Sequence, residues 1–405
     1  MPYTIRKIDL KTKKQGMAEF ELIGATVPGQ QIMVNKVSPL ALRVKGIKAR
    51  AADILKQEML SRMGDVVTSR DNLIQMEGLT DVIILGTEKS ILSLAEKIKM
   101  QPFGLKKLSD EITAYLSQLS RARSQKTLSI GTKKFDLEKE GALIMGILNI
   151  TPDSFYDGGN YFTEKQYRAR IDEIVSQGAH IIDIGGMSTR PGSKPVSIQE
   201  ELSRIIPAIK SVAENYDIII SADTYRSEVA SQALQAGAVI INDISGFTMD
   251  DKMPQVVASS GAGTVIMHMQ GTPENMQEDP QYTDVVEDIY NFLYDQAETV
   301  KSAGVDPDRI IIDPGIGFGK KLQHNLEIIS RLSDFTNMGY PVMVGASRKS
   351  FIGNILGGAP ATERLEGSIA AAVYAYINGA SILRVHDVAA TVSAIKVAKS
   401  IKDTI

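Results

Sequence analysis

The sequence predicts an α/β protein, a (β/α)8 TIM-type barrel preceded by a smaller α+β or α/β N-terminal domain. Three observations lead there. Eight short apolar runs recur at near-regular spacing between Ala142 and His386, most of them ending in a polar residue. Helix-length amphipathic segments separate them, and strand alternating with helix through eight units is the pattern of a closed parallel barrel. The chain has 405 residues, more than one barrel needs, which leaves about 130 for a further domain. The expected partition is 1–135 for a domain of unknown role and 136–405 for the barrel.

In the N-terminal region, residues 49–63 have a helical pattern, with Ala51, Ile54, Leu55 and Met59 apolar and Lys56 and Glu58 polar. Residues 81–86 read as a buried strand. Residues 87–99 read as a helix with Ile91, Leu94, Ala95 and Ile98 on one stripe. Ser109 is a capping signal for a second helix carrying Ile112 and Leu116 and running to about Leu119. The polar stretch 120–127 is the expected linker. Lys11, Lys13 and Lys14 read as a solvated face.

The eight barrel strands are expected at 142–150, 180–184, 217–222, 238–244, 263–268, 309–313, 341–345 and 381–386, with helices at 198–213, 282–303 and 325–332 among those between them. Barrels of this kind carry their chemistry at the C-terminal ends of the strands. There this chain has Asn149, Asp183, Asp223, Asn242, His268, Asp313, Arg384 and His386.

Composition narrows the function. A net charge of −3 gives no reason to expect nucleic acid or an anionic membrane as partner. No apolar run reaches the roughly 18 residues of a membrane helix, and the first residues lack an apolar core of signal-peptide length. The absence of cysteine excludes disulfides, thiolate nucleophiles and Cys-ligated zinc. A cytoplasmic protein is expected.

Each strand end offers particular chemistry. After strand one, the loop with Asp153, Phe155 and a Gly pair follows Asn149, whose carboxamide oxygen suits a hard cation; turn capping by Asn149 and Asp153 is the plain alternative. After strand two, three glycines and a proline surround Thr189 and Arg190, so the loop can present a guanidinium to an anion. Asp223, Asn242 and Asp313 follow apolar strand residues and should point into the barrel mouth, where a buried carboxylate needs donors. Lys349, a helix N-terminus, or a heterocycle with adjacent N–H groups would supply them. The glycines after Asp313 would let a flat ring approach the backbone. Ser347 is placed as a helix N-cap whose free amides favour a carboxylate or phosphate. Arg348 and Lys349 are adjacent and should diverge, so only one enters the pocket. Strand alternation puts Arg384 and His386 on one face, where with Asn149 they would form an anion cradle. HExxH, GxSxG and P-loop motifs are missing. A zinc site at His268 and His386 lacks carboxylate companions, and Mg2+ borne by a diphosphate fits better.

Taken together, the segments 146–155, 188–192, 241–244, 267–271, 313–320, 347–349 and 384–386 closely resemble dihydropteroate synthase, a pterin-binding enzyme family of folate biosynthesis, across about 142–400. The family pattern has Glu where this chain has Met187. The resemblance implies condensation of 6-hydroxymethyl-7,8-dihydropterin diphosphate with 4-aminobenzoate, giving 7,8-dihydropteroate and diphosphate. It implies that Asp223, Asn242, Asp313 and Lys349 hold the pterin and that Met267 and Phe318 line its pocket. Asn149, Arg384 and His386 would hold the diphosphate, with Asn149 reaching its Mg2+. Thr189, Arg190, Asp153 and Phe155 would close the site, and Ser347 would take the aminobenzoate carboxylate. A homodimer through the later helices is implied as well. The alternatives are a corrinoid-linked methyltetrahydrofolate methyltransferase and a non-catalytic pterin-binding protein.

Overall fold

A computed structural model describes residues 3–10, 12–70, 78–124, 127–131, 133–151, 164–188, 193 and 195–404. The chain divides into two compact units, the first ending at Arg121 and the second running from Ala122 to Asp403.

The first unit is α+β. Strands β1 (Leu40–Lys48), β2 (Asp65–Thr68) and β3 (Leu79–Gly86) form an antiparallel sheet in the order β1-β3-β2. In β3 burial alternates, with Val82 and Ile84 covered and Ile83 and Leu85 exposed, so this strand is half-buried. The helices Ala49–Leu60, Glu88–Ile98 and Leu105–Ser124 supply the rest of the core. Thr87 caps the second of these by accepting from the Ser90 N–H, and Ile91, Leu94, Ala95 and Ile98 form the buried stripe its spacing predicts. Ser109 does not cap a helix. It lies one turn inside Leu105–Ser124, where its buried hydroxyl donates to the Ala95 carbonyl at 2.7 Å and joins two helices. The same helix also runs into the expected linker, since Leu116 and Leu119 continue its apolar stripe.

The second unit opens with a short hairpin, β4 (Thr127–Ile130) and β5 (Lys133–Asp136). Eight parallel strands follow: β6 (Leu143–Asn149), β7 (Ile181–Gly185), β8 (Ile219–Asp223), β9 (Ile240–Asp243), β10 (Gly263–Met267), β11 (Ile310–Asp313), β12 (Met343–Val344) and β13 (Ile382–Val385). Every strand expected from the sequence is present. Consecutive strands pair, β13 pairs with β6, and a bridge between Ile312 and Val342 brings β11 to β12 and completes the ring. The helix Ile198–Asn215 begins at Ser197, which accepts from the Glu200 N–H, and Val285–Ser302 begins at Asp284 in the same way. Among the described residues, no helix is long and apolar enough to cross a membrane.

The barrel strands look uniformly apolar, but they alternate between two different environments. Outward residues such as Ile144, Ile182, Ile220, Ile266 and Leu383 pack on the helices. Inward residues form a floor to which every strand contributes: Leu143 and Met145, Ile181, Ile219, Ile240, Val265, Ile311, Met343 and Ile382. Leu128 and Ile130 of the hairpin join this cluster, and Lys133 reaches the Asp217 carbonyl at 2.8 Å. The hairpin therefore packs with the barrel, although the expected boundary at 135/136 assigned it to the N-terminal region.

Candidate active site

On five of the eight strands, the same face turns polar two residues beyond the floor position. Ile181 is followed by Asp183, Ile219 by Ser221 and then Asp223, Ile240 by Asn242, Ile311 by Asp313, and Ile382 by Arg384. Strand period alone thus stacks a polar layer on the apolar floor inside the barrel. Asp183, Ser221, Asp223, Asn242 and Asp313 are all buried. Asp223, Asn242, Met267, Asp313, Phe318, Lys349 and Arg384 line one narrow cavity, together with Ile244, Met343 and Gly345. The seven residues expected around the pterin or beside it are therefore gathered from six different strand ends.

Charge in this cavity is tightly matched. The Arg384 Nε donates to Asp183 and its terminal nitrogen to Asp223, each at 2.6 Å. The Asn242 amide donates to the same Asp183 oxygen at 3.1 Å. Burial pushes the Asp223 carboxyl up to about 7 against the pull of Arg384, and Asp183 reinforces that rise. Burial also raises Asp313, opposed by the Gly315 N–H at 2.7 Å and by the charge of Lys349. Lys349 is drawn down to about 7 by burial, with Asp313 acting in the other direction. For Arg384 burial works against the charge, yet Asp183 and Asp223 outweigh it and hold the guanidinium above its ordinary range.

The residues after Asp313 form the cavity wall. Lys349 donates to the Ile316 carbonyl and lies 4.1 Å from the centre of the Phe318 ring. Arg348 turns away to Asp387, its Nε and one terminal nitrogen donating to the two carboxylate oxygens at 2.9 and 2.6 Å, so only one of the two neighbouring cations enters the pterin cavity. The glycines here serve protein contacts. Gly315 has φ +69°, and a Cβ there would stand 1.9 Å from the His268 carbonyl oxygen, while one at Gly317 (φ +82°) would meet the Lys349 chain.

A second, wider cavity of about 490 Å³ adjoins Asn149 and His386 and also includes Arg170 and Arg348. Asn149 and His386 are therefore together as expected, while Arg384 turns to the carboxylates of the polar layer. It remains near enough to His386 to help depress its basicity. The imidazole is lowered to about 3 by burial first and by Arg384 and Arg348 next, so it is neutral. Ser347 does not cap a helix. The helix that follows is Ser350–Ile355, preceded by Lys349 without a side-chain cap, and the Ser347 hydroxyl instead meets the His386 N–H and Nδ1 at 3.2 and 3.1 Å. Met187 is buried and its Sδ accepts from the Tyr225 hydroxyl at 3.6 Å. Asp153, Phe155, Thr189 and Arg190 lie outside the described residues. Lys320, marked in the sequence only by its place at the end of the Gly-rich run, is buried behind the wall.

Residues 145–386 match the model of the pterin binding enzyme family, which makes the barrel a pterin-binding enzyme domain. The dihydropteroate synthase of Synechocystis sp. is 44% identical over 274 residues, covering 68% of this chain and 94% of the relative. Among solved structures, Yersinia pestis dihydropteroate synthase with a sulfonamide drug complex has a TM-score of 0.65 at 40% identity, over 68% of this chain and 99% of that one. The Xanthomonas albilineans dihydropteroate synthase with 4-aminobenzoic acid gives 0.64 at 38%, over 68% and 98%. The chain belongs to the dihydropteroate synthase family.

Arg384 is the counter-ion of two buried carboxylates, so Arg384→Met should cost about 3–5 kcal/mol. Without the guanidinium, the folded-state pKa of Asp223 lies still further above its unfolded value. The protonated acid is then tolerated at low pH, and stability is lost as pH rises through the folded pKa. Urea unfolding at pH 5 and pH 8 should show the larger deficit at pH 8; an equal or smaller one there would contradict the pairing.

Proposed function

We propose that this chain condenses 6-hydroxymethyl-7,8-dihydropterin diphosphate with 4-aminobenzoate to form 7,8-dihydropteroate and diphosphate. The observation that carries this is the single cavity in which Asp223, Asn242 and Asp313 face Lys349 and Phe318. Paired carboxylates there suit the adjacent N–H donors of a pterin, and Phe318 and Met267 suit its ring faces. Asn149 and His386 would hold the diphosphate, with Arg384 between the two compartments. Thr189, Arg190, Asp153 and Phe155 would close over the substrates, and Ser347, through its neighbourhood with His386, would meet the aminobenzoate.

A pterin that donates to Asp223 would free Arg384 to follow the negative charge of the leaving group. An arylamine is already unprotonated at neutral pH, so no strong base is required, and a neutral His386 suits hydrogen bonding to the departing oxygen. The protein's part is then electrostatic: it stabilises diphosphate as the C–O bond breaks while the pterin ring carries the positive charge, an SN1-like displacement. Among the described residues, no group of three acidic or imidazole side chains could hold a metal on its own. Asn149, whose Oδ1 lies over Gly185, offers one carboxamide oxygen. That donor set fits Mg2+ carried in on the diphosphate, which when bound would neutralise charge on the leaving group.

A methyltransferase working on methyltetrahydrofolate has no use for the cavity at Asn149 and His386, and a purely binding protein would release no diphosphate. Diphosphate release with and without 4-aminobenzoate separates the synthase from both alternatives. Release should require both substrates and should fall by ~10-fold or more in Arg384→Ala. Release independent of 4-aminobenzoate, or unchanged turnover in the variant, would overturn the scheme.

The proposal extends to a cytoplasmic homodimer. The absence of cysteine suits a reducing compartment. For the dimer the support is an apolar depression of about 350 Å³ between the helices Leu322–Ser330, Ser350–Ile355 and Leu365–Ile377. Around it Ile355, Leu356, Tyr374 and Ile377 are each about half exposed, a surface that a second copy would cover. Sedimentation should give twice the chain mass, with Ile355→Glu shifting it toward the monomer; a monomeric wild-type chain would refute this part.

A further inference from the structure

The wall loop from Asp313 to Lys320 ends in a buried lysine that neither the strand ends nor the two cavities use. Lys320 is 3% exposed, and its Nζ has three acceptors in reach: His268 Nδ1 at 3.0 Å, the His268 carbonyl at 3.2 Å and the Phe318 carbonyl at 2.9 Å. Three acceptors match the three N–H bonds of an ammonium one for one. His268 directly follows β10, so these contacts tie the loop after one strand to the end of its neighbour. Gly315 packs against the same His268 carbonyl, where an added Cβ would also lie 3.3 Å from the Lys320 Nζ, and its N–H holds Asp313. His268 is itself fixed, edge-on to Phe292 with ring centres 4.9 Å apart and beside Tyr282, whose hydroxyl donates to the Gly319 carbonyl at 2.7 Å.

We propose that Lys320 is a positioning residue of the pterin site, stapling the Asp313–Lys320 loop to the end of β10 so that Asp313 and Phe318 are set for the ring before it arrives. It touches no substrate. Burial draws its basicity well below the ordinary range while Asp313 opposes this, and its charge in turn favours the Asp313 carboxylate. The proposal deepens the synthase reading and rests on it.

The residue's effect should be confined to one substrate. In Lys320→Met, KM for the pterin diphosphate should rise at least ~10-fold while KM for 4-aminobenzoate stays within about twofold. Tyr282→Phe removes a different anchor of the same loop without removing charge, and should shift either KM by less than about threefold. If Lys320→Met does not fold, His268→Phe removes one of the three acceptors and is judged by the same ratio. Equal rises in both KM values, or no rise in folded protein, would overturn the proposal. A wild-type chain without synthase activity would instead fault the functional reading, and calorimetric binding of 6-hydroxymethylpterin to both proteins would then decide on Lys320, with a tenfold weakening supporting it and equal affinity refuting it.

Discussion

Asp183 and Asp223 sit at the centre of a barrel, away from water, and a single guanidinium, reaching past β6 from β13, bonds to both. The pairing constrains everything around it. Two carboxylates on adjacent strands β7 and β8 cannot both be buried without a counter-charge, and the guanidinium that bonds to both comes from β13, whose register against β6 fixes where Arg384 can reach. Closure of the barrel is what brings these strands into range. The fold and the electrostatics of the site therefore depend on each other.

The apolar floor explains why the polar layer can be so exacting. Large aliphatic side chains from all eight strands, plugged below by the hairpin, leave little freedom in strand tilt or register. Each strand then reaches the mouth with its next inward residue at a set height. Lys349 and Phe318 enter from the neighbouring loops rather than from strands, so their positions depend on contacts within the wall. Those contacts are many: Lys349 to Ile316, Tyr282 to Gly319, Asn325 to the Gly317 N–H at 2.7 Å and Gln277 to the Gly317 carbonyl at 2.7 Å. A loop held at so many points behaves as part of the scaffold.

Much of this was legible in the chain, because a parallel strand buried on both faces reads as an apolar run and the polar residue closing it marks the mouth. The divergence of Arg348 and Lys349 followed from adjacency alone. Three kinds of feature were not legible. Ser109 and Ser347 have the composition of helix caps but find partners far away in sequence, Ala95 and His386, and long-range pairing leaves no local trace. Strand alternation sets Arg384 beside His386 and Asn149 and so points it at an anion, whereas the deeper carboxylates Asp183 and Asp223 win it. The hairpin 127–136 is too short and too rich in lysine to announce that Leu128 and Ile130 plug a barrel.

Strand alternation builds one polar surface from Asp223, Asn242 and Asp313, walled by Phe318 and Lys349, and this surface is what a pterin would meet. A crystal structure of the chain with a bound pterin tests it most directly. The ring should donate to Asp223 and Asp313, lie against Phe318, and leave Arg384 turned from Asp223 toward His386. A pterin bound at any other place, or one bound while both Arg384–carboxylate contacts persist, would contradict it.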